Sequence, residues 1–289
     1  HAHLIASNLI AKPTAALAGV PLLFNYDHSN DLYRYKQKVR LWADRLANRL
    51  TTHAISVCGT SRDFLLKWEK MPPEKVTVVI NGVDTQRFQP VPGRREVCRR
   101  QWGYPQDKTL IAGVGGLRYP KNFPLFLRVA DEILKTRPDT HFVIVGSGPE
   151  ESVLKDQTQK SGIADHVTFS GYIDDLTDFY PAMDIFLMTS RYEGTPMTVL
   201  EAMACGKPVV APALDGICEV LRDGETGVLC KPGDQGDCVR RLTDLLEHPE
   251  RARAMADGAL RDVREKFSAE RMTRQVEAIY MEHLTRNAK

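Results

Sequence analysis

The sequence is poor in the features that mark several function classes. It has six cysteines, and no two of them form a C-x-x-C pair. Scattered cysteines without that spacing argue against a structural zinc site or a disulfide framework and suit a reducing compartment such as the cytosol. No apolar run approaches the ~18–20 residues needed to cross a bilayer as a helix, and the opening residues lack the pattern of a signal peptide. The chain starts at His1 inside what reads as a running helix pattern, so an N-terminal piece is expected to precede it. Charge of one sign is not in excess: 39 Lys and Arg against 37 Asp and Glu give a net charge of +2. A balance this even provides no global attraction to nucleic acid, and any affinity for anions must be local. The sequence shows no internal repeat, no low-complexity segment and no D-x-D motif placed to hold a metal.

What the chain does have is apolar material for two cores, with 289 residues of which 43% are hydrophobic. Short apolar runs at 21–26, 53–57, 76–80, 110–114, 141–145, 167–170, 184–189 and 208–211 alternate with amphipathic stretches of helical length, such as 122–136 and 150–161. Several runs are nearly continuous hydrophobes, as strands buried on both faces of a parallel sheet should be. The alternation is that of repeated βαβ units. The rhythm breaks after 76–80. Asn81-Gly82 marks a turn, and the proline-containing stretch up to Lys108 has no clean period, which reads as a passage between domains. The expected layout is a first domain over 1–90, a linker over 91–108, a second domain over 109–267 and a terminal helix over 268–289. Met272, Val276, Ile279, Tyr280 and Leu284 share one face of that helix, which is expected to pack back toward the first domain.

The most informative stretch is 190–211, S-R-Y-E-G-T-P-M-T-V-L-E-A-M-A-C-G-K-P-V-V-A. The strand before it feeds a polar loop with Glu193 and Gly194. Thr195 then suits a helix N-cap and Pro196 the first helical position. The N–H groups of Met197 and Thr198 at that helix start, together with the helix dipole, make an anion site fit for a diphosphate. Glu193 lies just before the helix and Glu201 inside it. Both carboxylates are expected to face the crevice at the carboxyl ends of the strands, where ligands bind in open α/β sheets. A carboxylate accepts hydrogen bonds from the vicinal hydroxyls of sugars and riboses. Two glutamates eight residues apart are by themselves more often surface charges; the surrounding string singles them out.

That string, E-x7-E followed by A-M-A-C-G-K-P-V-V-A, resembles the family 4 glycosyltransferases. The resemblance extends to Val114-Gly115-Gly116-Leu117 with Lys121-Asn122, to Val145-Gly146-Ser147-Gly148-Pro149-Glu150, and to Val167-Thr168-Phe169-Ser170-Gly171-Tyr172. Asp215-Gly216-Ile217-Cys218-Glu219, Asp223-Gly224-Glu225-Thr226-Gly227 and Asn81-Gly82-Val83-Asp84 continue it. The resemblance implies an α/β GT-B architecture of two Rossmann-like doubly wound domains facing across a cleft, the first incomplete here. It implies a retaining transferase that works without a metal. Such an enzyme moves a hexose or N-acetylhexosamine from a nucleotide sugar, with UDP-sugar the first choice and GDP-sugar the second. The acceptor would be a glycan or lipid-linked molecule in cell-surface polysaccharide synthesis.

By the same resemblance Glu201 binds the ribose hydroxyls, Glu193 contacts the donor sugar near its reacting face, and Lys121 pairs with the diphosphate. Gly115, Gly116 and the 194–198 loop shape the donor site, and Tyr172 lies near the base. Lys121 has a clear physical task. Breaking the sugar–phosphate bond leaves growing negative charge, which a fixed cation and helix N–H groups stabilise. The family usually has an arginine where Gly116 stands, and Arg118 is expected to supply the second cation from a shifted backbone. Gly146 and Gly148 follow a strand, yet the G-x-G-x-x-G of a dinucleotide site is incomplete because Glu151 stands in the last glycine's place. Gly148 is expected to let backbone approach the nucleotide. His28, in Tyr26-Asp27-His28, resembles the family's N-domain histidine that contacts the donor sugar; Asp27 is a neighbour that could tune it. His1 and His3 resemble an H-x-H motif and are expected to be structural or close to the acceptor.

Residues 33–50 interleave Arg34, Lys36, Lys38, Arg40, Arg45 and Arg49 with Tyr33, Val39, Leu41, Trp42, Leu46 and Leu50. This reads equally as a core-facing helix with a solvated basic face or as peripheral contact with the inner face of a cytoplasmic membrane. Two rival functions remain. Another GT-B enzyme, an epimerase or phosphorylase, would release nucleotide or epimer without acceptor. A non-catalytic nucleotide-sugar-binding protein would bind donor without turnover.

Overall fold

Short runs rich in apolar residues become strands. All eight runs named above do so in the computed structural model, which describes residues 1–3, 5–28 and 37–287, without the side chains of 5–8. The chain divides into two units, one made of His1–Gly82, Glu193–Thr195 and Ala269–Lys289, the other of Val83–Tyr192 and Pro196–Ser268.

The first unit runs β1 (Ala2–His3), α1 (Ile5–Leu17), β2 (Phe24–Asp27), α2 (Lys38–Asn48), β3 (His53–Ser56), α3 (Gly59–Lys67) and β4 (Val76–Val78). Its strands lie in the order β1-β2-β3-β4, all parallel. Every residue of β2 and β3 is buried, as parallel strands covered on both faces require.

The second unit holds α4 (Arg94–Trp102), β5 (Thr109–Val114), α5 (Phe123–Thr136), β6 (Thr140–Val145), α6 (Glu151–Lys160), β7 (Val167–Gly171) and β8 (Ile185–Leu187). It continues through α7 (Met197–Ala204), β9 (Val209–Pro212), α8 (Asp215–Cys218), β10 (Val228–Cys230), α9 (Gln235–Glu247) and α10 (Pro249–Lys266). Its parallel sheet has the order β10-β9-β8-β5-β6-β7. The first strand, β5, therefore sits in the middle, and later strands are added outward on both sides. That reversal creates the switch point where open α/β sheets bind ligands, at the carboxyl ends of the strands. Phe126, Phe142, Ile111, Leu127 and Ile144 are among the fully buried side chains that join α5 to the sheet.

The stretch 91–108, expected as a linker, holds α4 over half its length and belongs to the second unit. Arg99 has no exposed surface. Its guanidinium donates to the carbonyls of Ala182, Pro105 and Lys108 and pairs with Asp184 at 2.6 Å. Asp184 also accepts from Arg95 and from the Leu110 N–H. The anchor is an ion rather than a hydrophobe, so no apolar period announced this helix. The last helix, α11 (Ala269–Asn287), lays Met272, Val276, Ile279 and Tyr280 against Tyr26, Ile55, Val57, Cys58 and Val79 of the first unit.

Candidate functional site

The carboxyl ends of β5, β6 and β7 open into a cavity of about 480 Å³, lined among others by Gly115, Gly116, Arg118, Lys121, Gly146 and Tyr172. Two turns build its floor by touching backbone to backbone. The Gly115 N–H donates to the Val145 carbonyl at 2.9 Å, and the Leu117 N–H to Ser147 at 3.0 Å. The Gly146 N–H donates to Gly171 at 2.8 Å, tying in β7. A Cβ on Gly146 would stand 2.0 Å from the Gly115 oxygen, and one on Gly148 2.4 Å from the Leu117 oxygen. Both positions admit only glycine. Gly148 thus serves the approach of one turn to another, and it does not line the cavity.

Lys121 is fixed from the backbone outward. The Thr189 hydroxyl donates to the Asn122 carbonyl at 3.1 Å, and Arg191 donates to Asn122 Oδ1 at 2.8 Å. Asn122 itself is left-handed (φ 52°), one of the few side chains that tolerate it. The Lys121 stem lies 3.2–3.3 Å from where a Gly115 Cβ would be, so that glycine (φ 157°) makes room for it. At Gly116 the nearest atoms to a built Cβ are 3.9–4.0 Å away, and two of them are the Arg118 stem carbons. Arg118 therefore packs over the position whose side chain is missing. Tyr172 is 71% exposed at the rim, a bare aromatic face.

α7 begins at Met197 with Pro196 as its N-cap, one residue later than expected. Thr195 does not cap it, because its hydroxyl donates to the Val57 carbonyl at 2.6 Å. Met197 and Thr198 form the first turn, and Glu201 follows, half-buried. The Tyr180 hydroxyl donates to Glu201 Oε2 at 2.6 Å. Burial raises the Glu201 pKa, while the Tyr180 hydroxyl and Arg87 hold it down. Burial, with Glu201 alongside, drives Tyr180 well above the usual phenol range, so it stays a donor. Tyr180 was not singled out in the sequence; nothing local links a tyrosine in 180–182 to a glutamate 21 residues on. Pro196, Met197, Thr198 and Glu201 do not line the cavity.

His28 and the Glu193 loop come together in the first unit. A Cβ on Gly194 would stand 3.0 Å from the His28 carbonyl oxygen. His28 Nε2 lies 2.9 Å from His3 Nδ1, and its ring stacks on Tyr26 at 4.6 Å between centroids. Burial, then His3, lowers the His28 pKa, which keeps the imidazole neutral at pH 7. His1 lies on the other side of the same aromatic stack, 2.5 Å from the Tyr280 hydroxyl. Among the described residues no group of three or more His, Cys, Asp and Glu side chains is placed to hold a metal ion. No described helix is long and apolar enough to cross a membrane. Of the basic stretch 33–50, residues 33–36 lie outside the described residues.

Two Rossmann-like units, the second with a cation-lined cavity at its switch point, define the GT-B fold of glycosyltransferases. The chain belongs to the glycosyl transferases group 1 family, whose model matches residues 94–262, and residues 1–87 match glycosyltransferase family 4. It is 32% identical to the lipopolysaccharide core biosynthesis mannosyltransferase LpsB of Rhizobium meliloti, over 71% of this chain and 60% of that relative's length. It is 26% identical to an Escherichia coli UDP-Gal:alpha-D-GlcNAc-diphosphoundecaprenol alpha-1,3-galactosyltransferase, over 86% of this chain and 66% of that one. Among solved structures, Anabaena HepE in complex with UDP-glucose has a TM-score of 0.89 at 21% identity, covering 96% of this chain and 77% of HepE. The chain thus spans about two thirds or less of these curated relatives.

Proposed function

We propose that this chain acts in retaining glycosyl transfer, moving a hexose or N-acetylhexosamine from a nucleotide sugar to a glycan or lipid-linked acceptor. The observation that carries this reading is the 480 Å³ cavity at the sheet's switch point, walled by backbone that only glycine permits and lined by Lys121 and Arg118. In this reading the diphosphate lies against Lys121, Arg118 and the first turn of α7. The two cations do the work of a metal and stabilise charge as the sugar–phosphate bond breaks. Arg118 replaces the arginine absent at Gly116. Glu201, held by Tyr180, takes the ribose hydroxyls, and Tyr172 offers its ring to the base. His28, neutral and fixed by His3, and Glu193 serve the transferred sugar. The similarity to the Escherichia coli galactosyltransferase, which uses UDP-Gal and a diphosphoundecaprenol acceptor, supports a UDP-sugar over a GDP-sugar, and an acceptor carried on a lipid diphosphate.

A thermal-shift panel of UDP- and GDP-sugars tests this, because a ligand that binds the native state raises the melting temperature by mass action. One of the nucleotide sugars is expected to stabilise the protein with or without EDTA, and Lys121→Ala should lose most of that shift. With acceptor supplied, the product should keep the donor's anomeric configuration by NMR. A protein that none of the panel stabilises would overturn the reading.

A further inference from the structure

The string G-K-P-V-V-A contains a lysine that the proposed transfer leaves unused. Lys207 stands just before β9, at the amino end of the strand, whereas the cavity with Lys121 opens at the carboxyl ends. A second cavity, of about 360 Å³, lies at the amino ends, with Thr109, Ile185 and Pro208 on its wall where β5, β8 and β9 start. Val114 borders the first cavity and Thr109 this one, about 17 Å apart along β5.

The charge of this second cavity is one-sided. Arg95, Arg137, Lys207 and Arg253 line it, against a single acid, Asp184. That carboxylate is already committed: it accepts from Arg95 at 2.8 Å, from Arg99 at 2.6 Å and from the Leu110 N–H at 2.8 Å. Arg137 is neutralised by Asp139, which is 3.1 Å away and not part of the wall. Lys207 donates to the carbonyls of Pro181 at 3.0 Å and Met183 at 2.8 Å. An ammonium has three protons to donate, so one is left over, and two carbonyls do not cancel the charge. Burial lowers the Lys207 pKa, with Asp184 the largest influence opposing it. Arg253 is exposed on α10 and makes no hydrogen bond or ion pair among the described residues.

Two cations without a carboxylate of their own thus face one cavity, where their potential favours an anion. Their combined charge matches that of a phosphate monoester dianion, and lysine and arginine hold phosphate oxygens through charge-assisted hydrogen bonds. Ile185, Pro208, Leu245 and Leu246 make another part of the wall apolar. An inorganic ion would leave that part unused; an ester with an apolar body would cover it.

We propose that this cavity is a second ligand site, which takes a small organic phosphate with its anionic end on Lys207 and Arg253 and its body against Pro208 and Leu246. Neither cation belongs to the proposed donor site, and binding here is read without a nucleotide sugar. The two readings therefore stand or fall separately.

Calorimetric titration with phenyl phosphate, inorganic phosphate and phenol at pH 8 is the test. Phenyl phosphate is expected to bind, inorganic phosphate to bind more weakly and phenol not to bind. Arg253→Gln should weaken phenyl phosphate about tenfold, the low end for one hydrogen bond to a charged group. Its side chain is exposed, so an unchanged melting temperature is expected. Lys207→Gln should weaken binding at least as much; should that variant not fold, Arg253→Gln decides alone. Lys121→Ala should leave the binding in place, which separates this site from the cavity at the other end of the sheet. No binding of phenyl phosphate, equal affinity for inorganic phosphate, binding undiminished by Arg253→Gln, or binding lost in Lys121→Ala would overturn the proposal.

Discussion

Replacing Glu201 by glutamine separates charge from shape at the proposed ribose contact. The side chain keeps its length, and the Tyr180 hydroxyl, 2.6 Å from Oε2, still finds an oxygen to donate to. What goes is the negative charge. Hydrogen bonds to a charged acceptor are worth ~1.5–3 kcal/mol against ~0.5–1.5 for a neutral one. Over two ribose hydroxyls the difference is ~2 kcal/mol, about 30-fold in Kd. The pH dependence gives an independent handle. Burial raises the Glu201 pKa and the Tyr180 hydroxyl is the largest influence pulling it back. The ionised carboxylate is the binding form, so affinity falls as pH drops through that raised value. In Tyr180→Phe the carboxylate loses its donor, its pKa climbs further, and the fall begins at higher pH. In Glu201→Gln this component of the pH dependence vanishes. Calorimetric titration of the stabilising nucleotide sugar between pH 5 and 8, whose phosphates do not titrate there, reads all three. A Glu201→Gln protein with wild-type Kd and wild-type pH profile would refute the argument.

Gly146→Ala should cost more than ~3 kcal/mol in denaturant unfolding, because its Cβ would meet the Gly115 oxygen at 2.0 Å. Gly116→Ala, whose Cβ finds nothing nearer than 3.9 Å, should stay within ~0.5 kcal/mol. Arg99→Met strips Asp184 of a buried partner and is expected to lower unfolding free energy by ~3–5 kcal/mol; a loss below ~1 kcal/mol would mean that Arg95 and the Leu110 N–H suffice. His141 is held down to about 4 by burial, with Lys108 the next cause. The unfolded chain takes up a proton as pH falls through about 6.5 while the folded chain does not. Stability should be level above that pH and fall by up to ~3 kcal/mol towards pH 4, a slope that His141→Gln removes in urea titrations.

The sheets were legible in the sequence because parallel strands covered on both faces are mostly apolar, as in Leu110 to Val114 and Phe142 to Val145. What escaped depended on tertiary partners. Helix α4 hides a fully buried arginine among charged neighbours, so no apolar period marks it. Val228–Cys230 and Ala2–His3 are too short to form a pattern. Thr195 has the residue type of a cap, but its hydroxyl goes to Val57, a distant carbonyl that sequence does not show. The close contact of Gly148 with Leu117 escaped because a glycine after a strand looks the same whether it makes room for ligand or for another turn. Lys121 and Arg118 came from motif position, and the structure gathers them with Gly115, Gly116, Gly146 and Tyr172 around one cavity. Tyr180 and the His3–His28 pair are visible only once strands and turns have been placed.

The two glycine turns beneath that cavity are stitched to each other through the Gly115–Val145 and Leu117–Ser147 hydrogen bonds. Neither can shift alone, and no side chain can be added at Gly146 or Gly148 to reshape them. If the cavity holds the donor as proposed, evolution toward a new one is channelled away from the bedrock of the site and onto its freestanding edge. In that reading Tyr172, exposed at the rim, is where one base could be exchanged for another without rebuilding the fold.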